Sequence, residues 1–290
     1  MSAPPRPLLW CALALGALSL AAPLAWLDAD GLVAGYYAHD DCFYYFQIAR
    51  HLGAGQGFTF DGRHATNGFH PLWLFVITPV FALVPGDVAP LRAVALLETA
   101  LVTAAGVVVY RALRGPAGGW AALLAALLLV AQPGALRVVR CGMESSLLVL
   151  LLVVAWRACE SWRAAAGAAP GRALTVGVLC ALCFVCRLEA GLAVVAAALL
   201  GTARWRRRPR GALALVAPTL LAAAALVSWY QLAFSLPLPV SGLVKAHWAA
   251  RGGAGPRWAD LLRVPWLGER IFQRAFGPFF LGRSPLATAA

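Results

Sequence analysis

Residues Leu8–Leu27 read LLWCALALGALSLAAPLAWL, and Ala212–Trp229 read ALALVAPTLLAAAALVSW, neither with a single charge. A helix rises about 1.5 Å per residue, so about twenty apolar residues cover a hydrocarbon core roughly 30 Å thick. Working outward from these two stretches, further apolar runs follow at Leu91–Tyr110, Trp120–Ala131, Ser145–Ala155, Ala173–Cys186 and Leu192–Leu200. The chain is 61% hydrophobic and 12% charged, where a soluble domain carries about 25% charged residues. The Ala, Leu, Val and Gly that fill these runs suit close helix packing in lipid. The expected fold class is therefore all-α: a polytopic transmembrane helical bundle in the cell membrane, surrounded by membrane lipids. Met1–Leu27 reads as an uncleaved first helix, because its apolar stretch exceeds the usual signal-peptide core.

The formal net charge is +12. The arginines sit at the ends of the apolar runs, where the positive-inside bias puts them, so no nucleic-acid partner is expected. With a cytoplasmic N-terminus, Leu8–Leu27 exits and Asp28–Pro71 lies outside. Leu72–Val84 is bounded by Pro71 and Pro85, and the charge pattern comes right only if it lies along the outer surface or re-enters. The outer segment is then 28–90. Arg111, Arg114, Arg157, Arg163, Arg172 and the Arg204–Arg210 cluster fall inside, while Arg137–Ser146, Arg187–Gly191 and Ser235–His247 fall outside. About seven spanning helices are expected within a transmembrane domain at 1–250. The segment 251–290 mixes Arg, Trp, Gly and Pro and reads as an outer-face piece or a truncated tail.

The outer loop carries the polar chemistry. Asp28–Pro71 holds five of the seven aspartates and four of the five histidines. Asp40–Arg50 reads as a short amphipathic helix with Asp40 as its N-cap. Asp41, Tyr45, Ile48 and Leu52 share one face of it by i, i+3/i+4 spacing, and Gly53 and Gly55 end it. Gly57–Gly62 looks like strand and turn, and Thr66–Pro71 like a turn. Acids at a helix start are also what the helix dipole alone favours. Glu144 projects on the same outer side, however, and Arg187 and Glu189 sit together in an otherwise apolar stretch, where ionisable groups are costly and functional by default. Cys180, Cys183 and Cys186 have a ligand-like spacing but no polar company, and read as small buried hydrophobes.

Taken in order, the acidic loop motif with Gln47–Arg50, the stretch Gly57–Gly62 and Thr66-Asn67-Gly68-Phe69-His70-Pro71-Leu72-Trp73 resemble the GT-C superfamily of membrane glycosyltransferases. Gly142-Met143-Glu144, Arg187–Gly191 and Pro239–Lys245 match it too. More narrowly, the chain is similar to bacterial relatives of the dolichyl-phosphate-mannose–protein mannosyltransferases and the lipid A aminoarabinose transferases. The resemblance covers roughly Pro7 to Lys245. It implies transfer of a sugar from a polyprenyl-phosphate carrier to a protein, lipid or glycan acceptor on the outer face, with inversion. It favours Asp41 over Asp40 as catalytic base, since Tyr45 and Ile48 follow at the family's spacing, and makes Glu144 the second acid. Members usually carry more helices and a C-terminal outer domain.

The reaction needs a base, which is Asp41, and cations for the carrier phosphate, for which Arg187 and Lys245 are candidates with Arg140 and Arg50 behind them. Glu144 would orient Asp41 or Arg187 or contact sugar hydroxyls. Tyr45, Asn67, His70 and Glu189 complete the expected substrate-binding set, and Tyr44, Phe69 and Trp73 are candidates to stack on the sugar. Asp40, Asp41 and Glu144 are hard oxygen ligands that would suit a divalent metal; the expectation is no metal and no other cofactor. The alternatives are a transporter or flippase of a lipid-linked sugar, which would carry its acids mid-helix, and a non-catalytic, truncated homologue serving as a partner in a larger complex.

Overall fold

A computed structural model of the chain describes residues 6–37, 40–164, 170–191, 195–196 and 209–240. Expectations that fall on Lys245, most of Leu192–Leu200, Arg204–Arg208 and 251–290 lie outside the described residues.

The apolar runs become helices. They are α1 (Arg6–Ala21), α2 (Asp41–Gly53), α3 (Pro71–Leu83), α4 (Ala89–Leu113), α5 (Gly119–Ala131), α6 (Pro133–Val139), α7 (Ser145–Ala164), α8 (Pro170–Cys186) and α9 (Pro209–Phe234). A 3-10 turn, Ala22–Ala25, extends α1, and a π-helical segment, Gly31–Tyr36, precedes α2. The described residues form no strand. Where Gly57–Gly62 looked like strand and turn, only one antiparallel bridge forms, between Thr59 and Ala65.

Among the described residues three helices, α4, α7 and α9, are long and apolar enough to cross a membrane, or four if the bent pair α5–α6 counts as one span. The expected seven included Leu192–Leu200, most of which lies outside the described residues, and two more fall short for a physical reason. α8 has 17 residues and α1 has 16, so each falls short of the length test alone. α5 breaks at Gln132, which is extended at ψ 154 ahead of Pro133; proline disfavours the helical conformation at the residue before it. The two pieces meet at 50°. α3 has 13 residues, about 20 Å of helix. In contrast, α7 runs to Ala164, beyond its apolar run, where buried Trp162 packs on α8 and α9 and Glu160 and Arg163 pair one turn apart at 3.0 Å.

Contacts between helices set their directions. The Arg92 guanidinium donates to the Leu27 carbonyl at 2.8 Å, while Leu13 packs near Gly106, so α1 runs antiparallel to α4. Ser146 Oγ lies 3.5 Å from Glu98, and the end of α7 faces the end of α4, so these two run parallel. Arg172 donates to the Ser161 carbonyl, and Cys186 Sγ lies 3.7 Å from the Glu144 carbonyl oxygen, so α8 returns along α7. Leu215 packs with Trp162 and Ala173, and Tyr230 with Phe184, so α9 runs parallel to α8 and antiparallel to α7. One end of the bundle therefore gathers α2, α3, Glu144, Arg187 and Phe234. The other gathers Arg111, Arg114, Arg157, Arg163, Arg172 and Arg210.

Candidate functional site

The site is built from α2 upward. Asp40 caps that helix, its carboxylate accepting the Asp41 amide at 3.0 Å. The helix ends after Gly53, and the chain turns through Gly55 at φ 77. Cys42, Tyr45, Phe46, Ile48 and Ala49 are buried, so the expected Tyr45–Ile48 face is the packed one. The loop then folds back on the helix. His51 Nδ1 lies 2.8 Å from the Thr59 carbonyl oxygen, the Tyr44 hydroxyl bonds Thr66, and the His70 amide donates to the Tyr45 hydroxyl at 2.9 Å. Trp73 Nε1 donates to the Gly142 carbonyl at 3.2 Å, which fixes the Gly142–Glu144 turn against α3.

Glu144 is the centre. It is fully buried, and such a carboxylate is tolerable only with partners. The Tyr45 hydroxyl donates to Oε2 at 3.3 Å, Arg187 Nη1 donates to Oε1 at 3.2 Å, and His70 Nε2 stands 3.8 Å from Oε1. Arg187 follows the end of α8 and also donates from Nε to Glu189 at 2.8 Å. The Arg187 side chain is 39% exposed and that of Glu189 66%. The guanidinium therefore bridges a buried acid and an exposed one, and among the described residues no group takes the donors of its Nη2. The Glu189 bond raises the Arg187 pKa, with burial opposing. Burial is the largest single influence on Glu189 and raises its pKa, but the Arg187 bond and charge, a backbone hydrogen bond and His70 together lower it. Burial first, and Glu144 second, push the Tyr45 hydroxyl far above its ordinary value, so Tyr45 stays a neutral donor.

Of the residues expected from sequence, the structure thus brings Glu144, Tyr45, His70, Arg187 and Glu189 together. Asp41 stands one helical turn before Tyr45, exposed, and its carboxylate makes no ion pair or side-chain hydrogen bond among the described residues. Asn67 holds the chain after α9: its Nδ2 donates to the Leu238 carbonyl at 3.0 Å and its Oδ1 accepts the Val240 amide at 2.9 Å. Arg140 and Arg50 are engaged elsewhere. Arg140 donates to the Gly35 and Tyr36 carbonyls and lies over the Tyr36 ring, and Arg50 pairs with Asp87. Phe69 and Trp73 are buried, Phe69 among Phe58, Trp229 and Phe234. They pack the core instead of offering a face to a sugar, because the loop closes over α9 there. Tyr44 stacks on the half-exposed Phe60.

Glu98 was not singled out above. It lies within α4, fully buried, with Oε1 3.5 Å from Ser146 Oγ and Oε2 without a partner among the described residues. The signal was an acid inside the run Leu91–Tyr110. Among the described residues, no three His, Cys, Asp or Glu side chains converge as metal ligands. No protein-family model matches the chain, and neither a curated protein nor a solved structure is found to match it.

Proposed function

We propose that the chain is a multi-pass membrane glycosyltransferase of the GT-C type, moving a sugar from a polyprenyl-phosphate carrier to an acceptor on the outer face. The observation that carries this reading is Arg187, half-exposed, aimed by buried Glu144, with both N–H donors of Nη2 untaken among the described residues. A guanidinium held in this way suits the non-bridging oxygens of a phosphodiester. The acceptor hydroxyl attacks the anomeric carbon, the bond from that carbon to the phosphate oxygen breaks, and the phosphate leaves on the polyprenyl chain. Asp41 takes the hydroxyl proton. Attack opposite the leaving group inverts the anomeric centre. The phosphate accepts the bonding pair without needing a proton, so Glu144 is free to serve as a positioning residue for Arg187.

Charge balance demands two positive charges besides Arg187. Glu144 and Glu189 against Arg187 leave one negative charge, and the carrier phosphate adds another. His70 stands beside Glu144, its Nε2 3.8 Å from Oε1, as a group that can carry positive charge.

Glu98 favours a second reading, transport of the lipid-linked sugar. A buried acid within a membrane-length helix is where an ion-coupled carrier places its charge. The two readings separate in proteoliposomes loaded with radiolabelled polyprenyl-phosphate sugar and a mixture of envelope acceptors. Glycosyl transfer leaves free polyprenyl phosphate and a labelled acceptor. Translocation leaves the donor intact in the opposite leaflet, and that result would replace the transferase reading.

A further inference from the structure

At the far end of the bundle, the last turns of α4 and α7 enclose an open cleft of about 790 Å³. Arg111 and Arg114 line one side, and Arg157, Trp156 and Glu160 the other. All three arginines are exposed, and none forms an ion pair or side-chain hydrogen bond among the described residues. Glu160 is already committed to Arg163 at 3.0 Å. The cleft therefore holds three positive charges that no acid among the described residues pairs with. Two helix C-termini point the same way and contribute roughly half a negative charge each. They remove about one unit, so the cleft stays cationic by about two.

We propose that this cleft binds the phosphate-bearing headgroup of an anionic phospholipid. Three guanidinium groups on two helices can surround one phosphate, each with planar paired donors. The placement selects a lipid over a free anion. α4 and α7 are both long and apolar enough to cross a membrane, and the cleft sits where they end, at headgroup depth if they do. Trp156 is 42% exposed at its mouth, as tryptophans are at membrane interfaces. Basic pockets between helices on the arginine-rich side are where acidic headgroups collect. The inference rests on the membrane placement proposed above and is independent of sugar transfer.

The test is native mass spectrometry of the detergent-solubilised full chain, titrated with phosphatidylglycerol or phosphatidylcholine, with and without excess inorganic phosphate. The expected result is one phosphatidylglycerol retained about tenfold more tightly than phosphatidylcholine, with inorganic phosphate failing to displace it. The triple variant R111Q/R114Q/R157Q should bind the two lipids equally, and R157K alone should keep most of the preference. A triple variant that does not fold, judged by circular dichroism, is replaced by the single Gln variants, each of which should lose part of it. Equal retention of both lipids by the native chain, a preference untouched by the Gln variants, or displacement by inorganic phosphate overturns the proposal. Failure of sugar transfer leaves this result standing, and loss of lipid preference leaves the sugar-transfer reading standing.

Discussion

Arg187 gives Nε to Glu189 and Nη1 to Glu144, so replacing it does two separable things. Arg187→Ala leaves a carboxylate buried without its charge partner. Breaking such a pair costs about 3–5 kcal/mol when both members are buried, and the exposure of Arg187 puts this case nearer 2. Arg187→Lys keeps the charge but not the fork. We expect Arg187→Ala to lower the melting temperature and raise the donor KM more than tenfold, and Arg187→Lys to restore most of the stability and only part of the donor affinity. Unchanged donor KM in a folded Arg187→Ala protein would reduce Arg187 to a structural partner of Glu144. A second residue-scale expectation concerns the loop at Asp61. Its Oδ1 accepts the Arg63 and His64 amides at 2.9 and 2.8 Å, and its Oδ2 meets His64 Nδ1 at 2.6 Å. The His64 contacts lower the Asp61 pKa from 3.8, and Asp61 raises that of His64 from 6.5. A depressed acid contributes above its unfolded value and is lost as pH falls. A raised histidine contributes below 6.5 and is lost as pH rises through its folded value. Hydrogen-exchange protection of the Arg63 and His64 amides should therefore be greatest between about pH 4 and 6.5. Protection that does not vary with pH would show that the turn holds without the pair.

Among the elements, the Gly142 turn is the narrowest joint. Gly142 has φ 65, and a Cβ there would lie 2.6 Å from Cys42 Cβ and 2.9 Å from both Phe46 Cζ and Tyr37 Cδ1. Gly142→Ala combines about 1 kcal/mol of backbone strain with about 1–3 kcal/mol of overpacking. Glu144 sits two residues on, so activity should fall with stability. Gly171→Ala meets nothing within 4 Å and should melt like the native protein. Equal melting of the two variants would contradict the packing described for α2. The same joint shows what a sequence hides. The apolar runs predicted α4, α5, α8 and α9 nearly to their ends, because burial in lipid and in a helical core demand the same residues. The far half of α7 was illegible, since Arg157, Glu160 and Arg163 break the apolar pattern while the packing of Trp162 on α8 and α9, a tertiary contact, continues the helix. Gly57–Gly62 alternates like a strand, yet the Asp61 carboxylate takes the amides a ladder would need. Asp40 as N-cap was legible, being a local contact. Glu144, His70, Tyr45 and Arg187 were each visible as polar residues, but their meeting depends on the turn at Gly142 and on α8 returning along α7, which no local pattern encodes. Arg140 and Arg50 looked equally eligible for the site until their carbonyl and Asp87 partners appeared.

For the whole molecule, the separation of charge along the bundle carries the proposed orientation. The loop 28–90 and the Glu144 cluster occupy one end, and Arg111, Arg114, Arg157, Arg163 and Arg172 the other, which the positive-inside bias places in the cytoplasm. Cysteine labelling in a Cys-free background should therefore reach His64→Cys only from outside and Arg114→Cys only from inside, and labelling of both from one side would refute the crossing pattern. The function assigned to the outer end rests on an aimed guanidinium and on the exposed acid that opens α2, and the most direct measurement addresses that acid. Purified native chain, Asp41→Asn and Asp40→Asn are compared for transfer of radiolabelled sugar from a polyprenyl-phosphate donor, with circular dichroism confirming that each is folded. Asn still accepts a hydrogen bond at a helix start but cannot take the acceptor proton. The account predicts that Asp41→Asn loses about 10²–10⁴-fold of the native rate, while Asp40→Asn, which removes only a charge from the cap, keeps most of it. Near-native transfer by folded Asp41→Asn would contradict it.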